Sequence, residues 1–127
     1  VYGVDVEPDM VRYLEERAKS LQLANVAAIL ADESGFTLEK KLDVVLVVNT
    51  YHHISNRSTY FKGLIPHLNS GARVVIVDFL PKSPMGPPQK HRYQPPQIKN
   101  EMQQAGFRFV KQQNLPYQFV LTFKVGP

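Results

Sequence analysis

The sequence predicts an α/β fold, in which a mostly parallel sheet carries helices on both faces and ends in an antiparallel hairpin. Continuous apolar runs that stop at polar or acidic residues occur four times, at 1–6, 25–31, 42–48 and 72–79. Such runs are typical of strands in parallel sheets. Segments whose apolar residues recur at helical spacing lie between the runs 1–6 and 25–31 and between the runs 42–48 and 72–79. The alternating segments 107–113 and 118–125 are joined by a short link, which favours antiparallel pairing.

The apolar run at 42–48 is the predicted centre of the sheet. Its Val and Leu residues show no polar alternation, so we expect a strand that is buried on both faces. The run is followed by Asn49, Thr50, Tyr51, His52 and His53. Ligands of open α/β sheets bind beyond the carboxyl ends of such strands. The sequence therefore predicts a site at this end of the strand.

The first third of the chain predicts a strand, a helix and a second strand. Residues 1–6 are expected to form a short buried strand, with Gly3 allowing close approach of the backbone. Pro8 suits the first turn of a helix that runs to about residue 23. The second strand, at 25–31, leads into an acidic turn.

The rest of the chain adds two helices and a long loop. A helix is expected at 58–68, with Gly71 as its left-handed cap. Residues 80–96 are rich in Pro and Gly and are expected to be irregular. This loop either covers an acceptor site, with Lys90, His91 and Arg92 attracting an anionic group, or is a solvated basic loop. A last helix is expected at 97–105.

Bulk composition limits the class of protein. With 127 residues, one domain is expected, and no apolar run approaches the roughly 20 residues that a membrane helix needs, so we expect no membrane insertion. The absence of Cys excludes disulfides and thiolate metal sites and is compatible with a cytoplasmic protein. The net charge of +4 is spread along the chain, which favours a solvated basic surface over a nucleic-acid interface. A homo-oligomer is possible, because composition does not determine whether the chain self-associates.

Five motifs in a fixed order point to a family. They lie at residues 4–10, 32–33, 42–54, 64–79 and 105–107. With them the chain resembles the class I S-adenosylmethionine-dependent methyltransferases, in particular the small-molecule branch that includes the ubiquinone and menaquinone methylases. The resemblance implies a Rossmann-like fold, S-adenosyl-L-methionine as the cofactor and a small-molecule acceptor.

The chain departs from the family pattern at two places. Ser70 and Ala72 stand where Pro and Gly are commoner. The family's first strand and its Gly-rich loop would precede Val1, so we expect a truncated single domain at 1–127, which by itself binds the cofactor poorly.

The resemblance implies cofactor contacts for two acidic turns. Asp5, at the end of a strand, is expected to accept hydrogen bonds from both ribose hydroxyls, and its alternative role is to cap the following helix. Val6 would line the adenine slot. Asp32, with Glu33 beside it, would accept a hydrogen bond from the adenine amine or would be an exposed turn acid.

The tip of the predicted central strand has several possible roles. Asn49 and Thr50 would face the sulfonium region of the cofactor, or they simply terminate the strand. His52 and His53 are the candidate catalytic residues: one would shape the acceptor pocket or act as a general base, or both are structural. A metal site is not expected there, because adjacent residues rarely reach one ion. Asp78 is expected to hold its own loop rather than face the acceptor.

Two other functions remain open. A nicotinamide oxidoreductase would use Asp5 equally well, because ribose recognition is the same chemistry. A non-catalytic binding module is the third possibility. The Ala-Gly-Phe sequence at 105–107 and the closing hairpin favour a methyltransferase.

Overall fold

The computed structural model describes residues 1–127, and the chain divides into two compact units, Val1–Thr37 and Leu38–Pro127. The first unit has one helix and a parallel pair of strands, and the second unit has helices and a sheet with both parallel and antiparallel pairs. The predicted α/β class, with its mixed sheet and C-terminal hairpin, is confirmed.

The first unit is a strand–helix–strand arrangement. Strand β1 (Tyr2–Asp5) and strand β2 (Ala27–Leu30) pair in parallel, and helix α1 (Pro8–Ser20) connects them. Gly3 permits the expected close approach, because a Cβ at this position would lie 2.1 Å from Cδ2 of Leu14 on α1.

Two details of the first unit differ from the sequence prediction. Helix α1 ends at Ser20 rather than near residue 23, since Gln22 adopts a left-handed backbone conformation with φ 56°. Strand β1 is not buried: Val4 is 38% exposed and Asp5 is exposed as well.

The second unit contains a four-stranded sheet in the order β3-β4-β6-β5. Its strands are β3 (Leu42–Val48), β4 (Leu68–Phe79), β5 (Phe107–Asn114) and β6 (Gln118–Val125). The pair β3/β4 is parallel, and the pairs β4/β6 and β5/β6 are antiparallel. The hairpin β5–β6 thus forms where the alternating pattern predicted it.

Helices α2 (Arg57–Leu64) and α3 (Pro95–Gln104) supply the apolar side chains of the second unit's core. The buried apolar residues of these helices and of β4 and β6 are Phe61, Leu64, Ile98, Met102, Leu68, Ala72, Val74, Ile76, Phe119, Leu121 and Phe123. A 3-10 turn, Ile65–His67, follows α2, and the next residue is already extended. Gly71 (φ 78°) therefore lies in the irregular start of β4 and is not the helix cap that was predicted.

The position of β3 differs from the sequence prediction. The strand lies at the edge of its sheet, not at the centre. Its alternate residues Val44, Leu46 and Val48 are 44%, 63% and 44% exposed, so one face is open to solvent. An unbroken apolar run indicates that a strand is able to be buried on both faces. Whether it is buried depends on which helices or strands pack against each face. Helices α2 and α3 provide cover for one face of this sheet only.

Candidate functional site

The carboxyl ends of the parallel strands β3 and β4 lie side by side and bring polar side chains together. Asn49 follows β3, and its backbone N–H donates to the carbonyl of Val77 over 2.8 Å. It adopts a left-handed conformation with φ 54°, which Asn tolerates better than most residues. This residue turns the chain away from the sheet.

The side chains of Asn49 and Thr50 both have partners in this turn. Oδ1 of Asn49 accepts a hydrogen bond from Nε2 of Gln118 at 2.7 Å. The hydroxyl of Thr50 donates to the carbonyl of Val48 at 2.8 Å. The side-chain Nδ2 of Asn49 makes no hydrogen bond, so it remains a donor at the strand tip. Sequence reasoning did not identify Gln118, because its link to Asn49 spans 69 residues.

His52 lies beside a buried carboxylate. It belongs to the 3-10 turn Tyr51–His53, and its Nδ1 is 3.3 Å from Oδ2 of Asp78. The two side chains are only 9% and 5% exposed. Oδ1 of Asp78 accepts the backbone N–H of Phe79 at 2.9 Å, which fixes the carboxylate. A carboxylate can only accept here, so this hydrogen bond requires the proton on Nδ1 of His52, and in the neutral ring Nε2 is then a hydrogen-bond acceptor.

His53 has a different environment from its neighbour. It is exposed, and its ring centroid lies 4.1 Å from that of His52 at an interplanar angle of 43°. Its backbone N–H donates to the carbonyl of Thr50 at 2.9 Å, but its imidazole forms no hydrogen bond or ion pair. Only His52 therefore has the carboxylate partner that fixes an imidazole in one orientation. Asp78 holds its own chain, as expected, and in addition faces His52, which the sequence did not indicate.

A partly buried polar cluster holds the turn that carries His52. The hydroxyl of Tyr51 donates to Oε2 of Glu101, and Arg57 donates to both oxygens of that carboxylate at 2.7 and 2.9 Å. The guanidinium carbon of Arg57 lies 4.0 Å from the ring centroid of Tyr93 and 5.2 Å from that of Tyr51. The cluster thus ties the 3-10 turn and α2 to α3.

The cluster changes the protonation behaviour of its members. Burial, followed by the hydrogen bond to Glu101, raises the pKa of the Tyr51 hydroxyl. The hydrogen bond from Arg57 lowers the pKa of Glu101, and the same bond raises the pKa of Arg57. Nothing in the local sequence around Glu101 distinguishes it from a surface helical Glu, so this cluster could not be identified from the sequence.

The loop that follows β4 is organised by Arg92. Its guanidinium donates to five backbone carbonyls at 2.8 to 3.1 Å, those of Leu80, Pro81, Ser83, Met85 and Pro87. Of the two roles considered for this loop, attraction of an anionic group is not supported for Arg92, because its guanidinium donors are used inside the loop. Lys90 and His91 are exposed in the 3-10 turn Gln89–His91.

The first unit contains the other predicted cofactor residues. Oδ1 of Asp5 accepts the backbone N–H of Glu7 at 3.0 Å, whereas Oδ2 makes no hydrogen bond. Asp32 accepts the N–H and the hydroxyl of Ser34 on a single oxygen, at 2.8 and 2.6 Å. These bonds lower the pKa of Asp32. Val6 and Glu33 are exposed.

Because β1 and β2 are parallel, Asp5 and Asp32 both lie at the carboxyl ends of these strands, on the same side of the sheet's strand ends. Asp5 is opposite Leu30, and its carbonyl accepts the N–H of Ala31 at 2.9 Å. Each carboxylate keeps one oxygen without a partner. The carboxyl ends of β1 and β2 therefore offer two free carboxylate oxygens as hydrogen-bond acceptors to a ligand rich in hydroxyl and amine donors.

Two further findings concern the chain as a whole. No three of its His, Asp and Glu side chains converge in the way that a metal site requires. None of its helices has the length and apolar character needed to cross a membrane.

A family model described as a methyltransferase domain matches residues 1–121. Among curated proteins, the chain is similar to the (S)-tetrahydroprotoberberine N-methyltransferase of Eschscholzia californica, with 36% identity over 64 residues. A probable (S)-tetrahydroprotoberberine N-methyltransferase 2 of Papaver bracteatum is 33% identical over 64 residues. Each match covers 50% of this chain, but only 18% of the length of the relative.

Solved structures share the fold. A SAM-dependent methyltransferase from Aquifex aeolicus superposes with a TM-score of 0.88 at 23% identity, over 98% of this chain and 68% of that one. The CcbJ methyltransferase from Streptomyces caelestis gives a TM-score of 0.81 at 13% identity, over 100% and 75% of the two chains.

Proposed function

The chain belongs to the methyltransferase-domain family, and on this basis we propose that it takes part in methyl transfer from S-adenosyl-L-methionine to a small-molecule acceptor. The observation that carries the proposal is the family match over residues 1–121. The similar N-methyltransferases, whose names specify a small-molecule acceptor, also support it. The family match argues against a nicotinamide oxidoreductase.

The residues of the first unit suit the nucleoside part of the cofactor. A ribose presents two hydroxyl donors, and Oδ2 of Asp5 is an unpaired acceptor at the end of a strand. The free oxygen of Asp32 suits the adenine amine in the same way, and the exposed Val6 offers an apolar contact to the ring. Glu33 lies next to Asp32 and adds negative charge there.

In the second unit we assign the acceptor side to the turn after β3. His52 acts in the acceptor pocket, where Asp78 holds its ring with Nε2 as an acceptor. When a hydroxyl or amine attacks, its oxygen or nitrogen forms the new bond to carbon while the sulfur–methyl bond breaks. Nε2 of His52 then takes the proton that the nucleophile loses. Asn49 and Thr50 position the cofactor's sulfonium end, and His53 contributes to the wall of the pocket.

The cofactor itself supplies an activated methyl group on a positively charged sulfur. The protein's part is therefore mainly to place the nucleophile in line with that group, which is a proximity effect. This explains why a modest set of polar residues is sufficient for the proposed chemistry.

Ligand titration tests the proposal for the cofactor. NMR chemical-shift changes are recorded for the 127-residue chain with S-adenosyl-L-methionine, S-adenosyl-L-homocysteine and NAD in turn. We expect shifts at Asp5 and Asp32 with the two sulfur compounds. Because a hydrogen bond to a charged group is worth roughly a factor of ten or more in affinity, Asp5→Ala should weaken binding by about that factor.

Asp9→Ala is the matched control for Asp5→Ala, because Asp9 is an exposed acid of the same helix entry that pairs only with Arg12. Equal loss in both variants would remove Asp5 from the site. Binding of NAD without the sulfur compounds would contradict the methyltransferase proposal. A folded chain that binds none of the three would support a non-catalytic module.

The role of His52 is tested by comparing two adjacent substitutions. Transfer of a labelled methyl group to a panel of phenols, amines and carboxylic acids is measured for His52→Gln and His53→Gln. A general base contributes roughly 100-fold to 10,000-fold, so His52→Gln should lose most of the activity and His53→Gln much less. The opposite order would assign the role to His53.

A further inference from the structure

Three basic side chains form a row across the second sheet, far from the candidate site. Arg73 of β4 is in register with Lys124 of β6, and Lys124 is in register with Arg108 of β5. Residues that are directly opposite on neighbouring strands share a face of the sheet. Since strands lie about 4.8 Å apart, the row extends over roughly 10 Å. Arg73 precedes Asp78 by five positions on β4, which places the row roughly 16 Å from that carboxylate.

No carboxylate forms an ion pair with these side chains. The ion pairs between basic and acidic side chains are Arg12–Asp9 and Arg57–Glu101, and neither involves the row. Asp43 accepts a hydrogen bond from the side-chain amide of Asn69 at 2.9 Å and keeps its negative charge. Like charges that face each other directly on adjacent strands destabilise a sheet. The row therefore costs stability in the isolated chain, and an anion bound to it would remove that cost.

A cavity of about 410 Å³ opens at one end of the row. Its polar lining consists of Arg108, Lys124, Asn69 and Ser70, and Gly71 lies beside them. The cavity is an open depression of the surface rather than an enclosed pocket. The stem of Arg108 lies along the backbone of Gly126, since a Cβ at that glycine would be 3.5 Å from Cδ of Arg108. Two cations and a hydroxyl thus border one concave surface.

We propose that this surface is a second binding site, distinct from the methyl-transfer site, that takes a ligand with a diphosphate group. Two linked phosphates present negative oxygens along a line, as the row of cations does. Arg108 binds one phosphate with its planar fork, Lys124 contacts both as a point charge, and the Ser70 hydroxyl donates to an oxygen. Arg73 does not line the cavity, but its positive charge lies next to Lys124 and adds to the attraction for an anion.

Calorimetric titration of the 127-residue chain with inorganic pyrophosphate tests the proposal, with orthophosphate as the second probe. We expect pyrophosphate to bind more tightly than orthophosphate and its affinity to fall as salt rises. The variant Lys124→Gln/Arg108→Gln should lose about tenfold or more in affinity, because it removes two charge-assisted contacts. Arg73→Gln should have a smaller effect.

Lys40→Gln/Lys62→Gln is the control, because it removes the same charge from two exposed lysines elsewhere in the second unit. An equal loss in this control would mean that only net charge is sensed, and it would overturn the site. Equal affinity for the two phosphates, or no binding of pyrophosphate, would overturn it as well.

A stability measurement separates the proposed role from a structural one. Without ligand, Lys124→Gln/Arg108→Gln should melt at the same temperature as the parent chain or higher, because repulsion across the strands is relieved. A clear fall in melting temperature would assign the cations to folding and would contradict the proposal.

Discussion

Nδ1 of His52 lies 3.3 Å from Oδ2 of Asp78, and both side chains are almost completely buried. The two residues come from different strand ends, 26 positions apart in the sequence. Because β3 and β4 are parallel neighbours, the residues that follow Val48 necessarily approach those that follow Val77. The pair is therefore a direct consequence of strand order.

This pair predicts a specific tautomer of His52. With Asp78 present, the proton resides on Nδ1; in Asp78→Asn the amide can donate to that nitrogen, and the proton should move to Nε2. The ¹⁵N chemical shifts of the imidazole measure the change directly. Asp43→Asn, at the other end of β3, should leave the tautomer as it is. An unchanged tautomer in Asp78→Asn would mean that the carboxylate does not orient the ring.

Glu101→Gln should destabilise the second unit strongly. The substitution leaves the Arg57 guanidinium buried without its carboxylate, and loss of one partner from such a pair costs about 3 kcal/mol. Urea unfolding measures the change in the free energy of unfolding. Glu39→Gln, an exposed Glu without partners, should change it by less than about 0.5 kcal/mol.

The same carboxylate predicts how stability depends on pH. Its pKa in the folded chain is held below the ordinary value of 4.5 by Arg57, so its contribution is present above pH 4.5 and is lost as the pH falls below that value. The stability difference between the parent chain and Glu101→Gln should therefore be largest near neutral pH and shrink on acidification. A difference that is constant down to pH 3 would contradict this assignment.

Arg92→Lys should loosen the loop after β4. An ammonium cannot reproduce the planar fork that reaches five carbonyls, so most of these bonds are lost. Hydrogen exchange of the Ser83 and His91 amides, which are bonded inside the loop, should accelerate by about tenfold or more. Lys90→Ala, in the same loop, should leave exchange of these amides close to that of the parent chain.

Two glycines should respond to Ala in opposite directions. Gly86 has φ 101°, and a Cβ there would lie 2.6 Å from the ring of Phe79, so Gly86→Ala should lower the free energy of unfolding. Gly63 is in α2 with nothing within 4 Å of an added Cβ, so Gly63→Ala should raise stability by about 0.5 to 1 kcal/mol. Urea unfolding of the two variants, measured side by side, checks both signs.

The local sequence predicted most of the secondary structure, because periodicity and end signals act over a few residues. Pro8 at the start of α1, the apolar run of β3 and the alternating hairpin strands carry their conformations in their own neighbourhoods. For the same reason, the polar residues at 49–53 could be expected at a strand end. Helix ends were less accurate, as Gln22 and Gly71 illustrate, since a single left-handed residue changes them.

Only the tertiary structure decided which of these residues have partners. The link between Asn49 and Gln118, the ion pair of Arg57 with Glu101 and the row across β4, β6 and β5 all depend on strand order and register. An apolar run likewise indicates only that a strand is able to be buried. The side chains that bury each of its faces come from elements distant in the chain. Burial and pairing are properties of the assembled fold, so residues such as Glu101 and Lys124 acquire their roles only there.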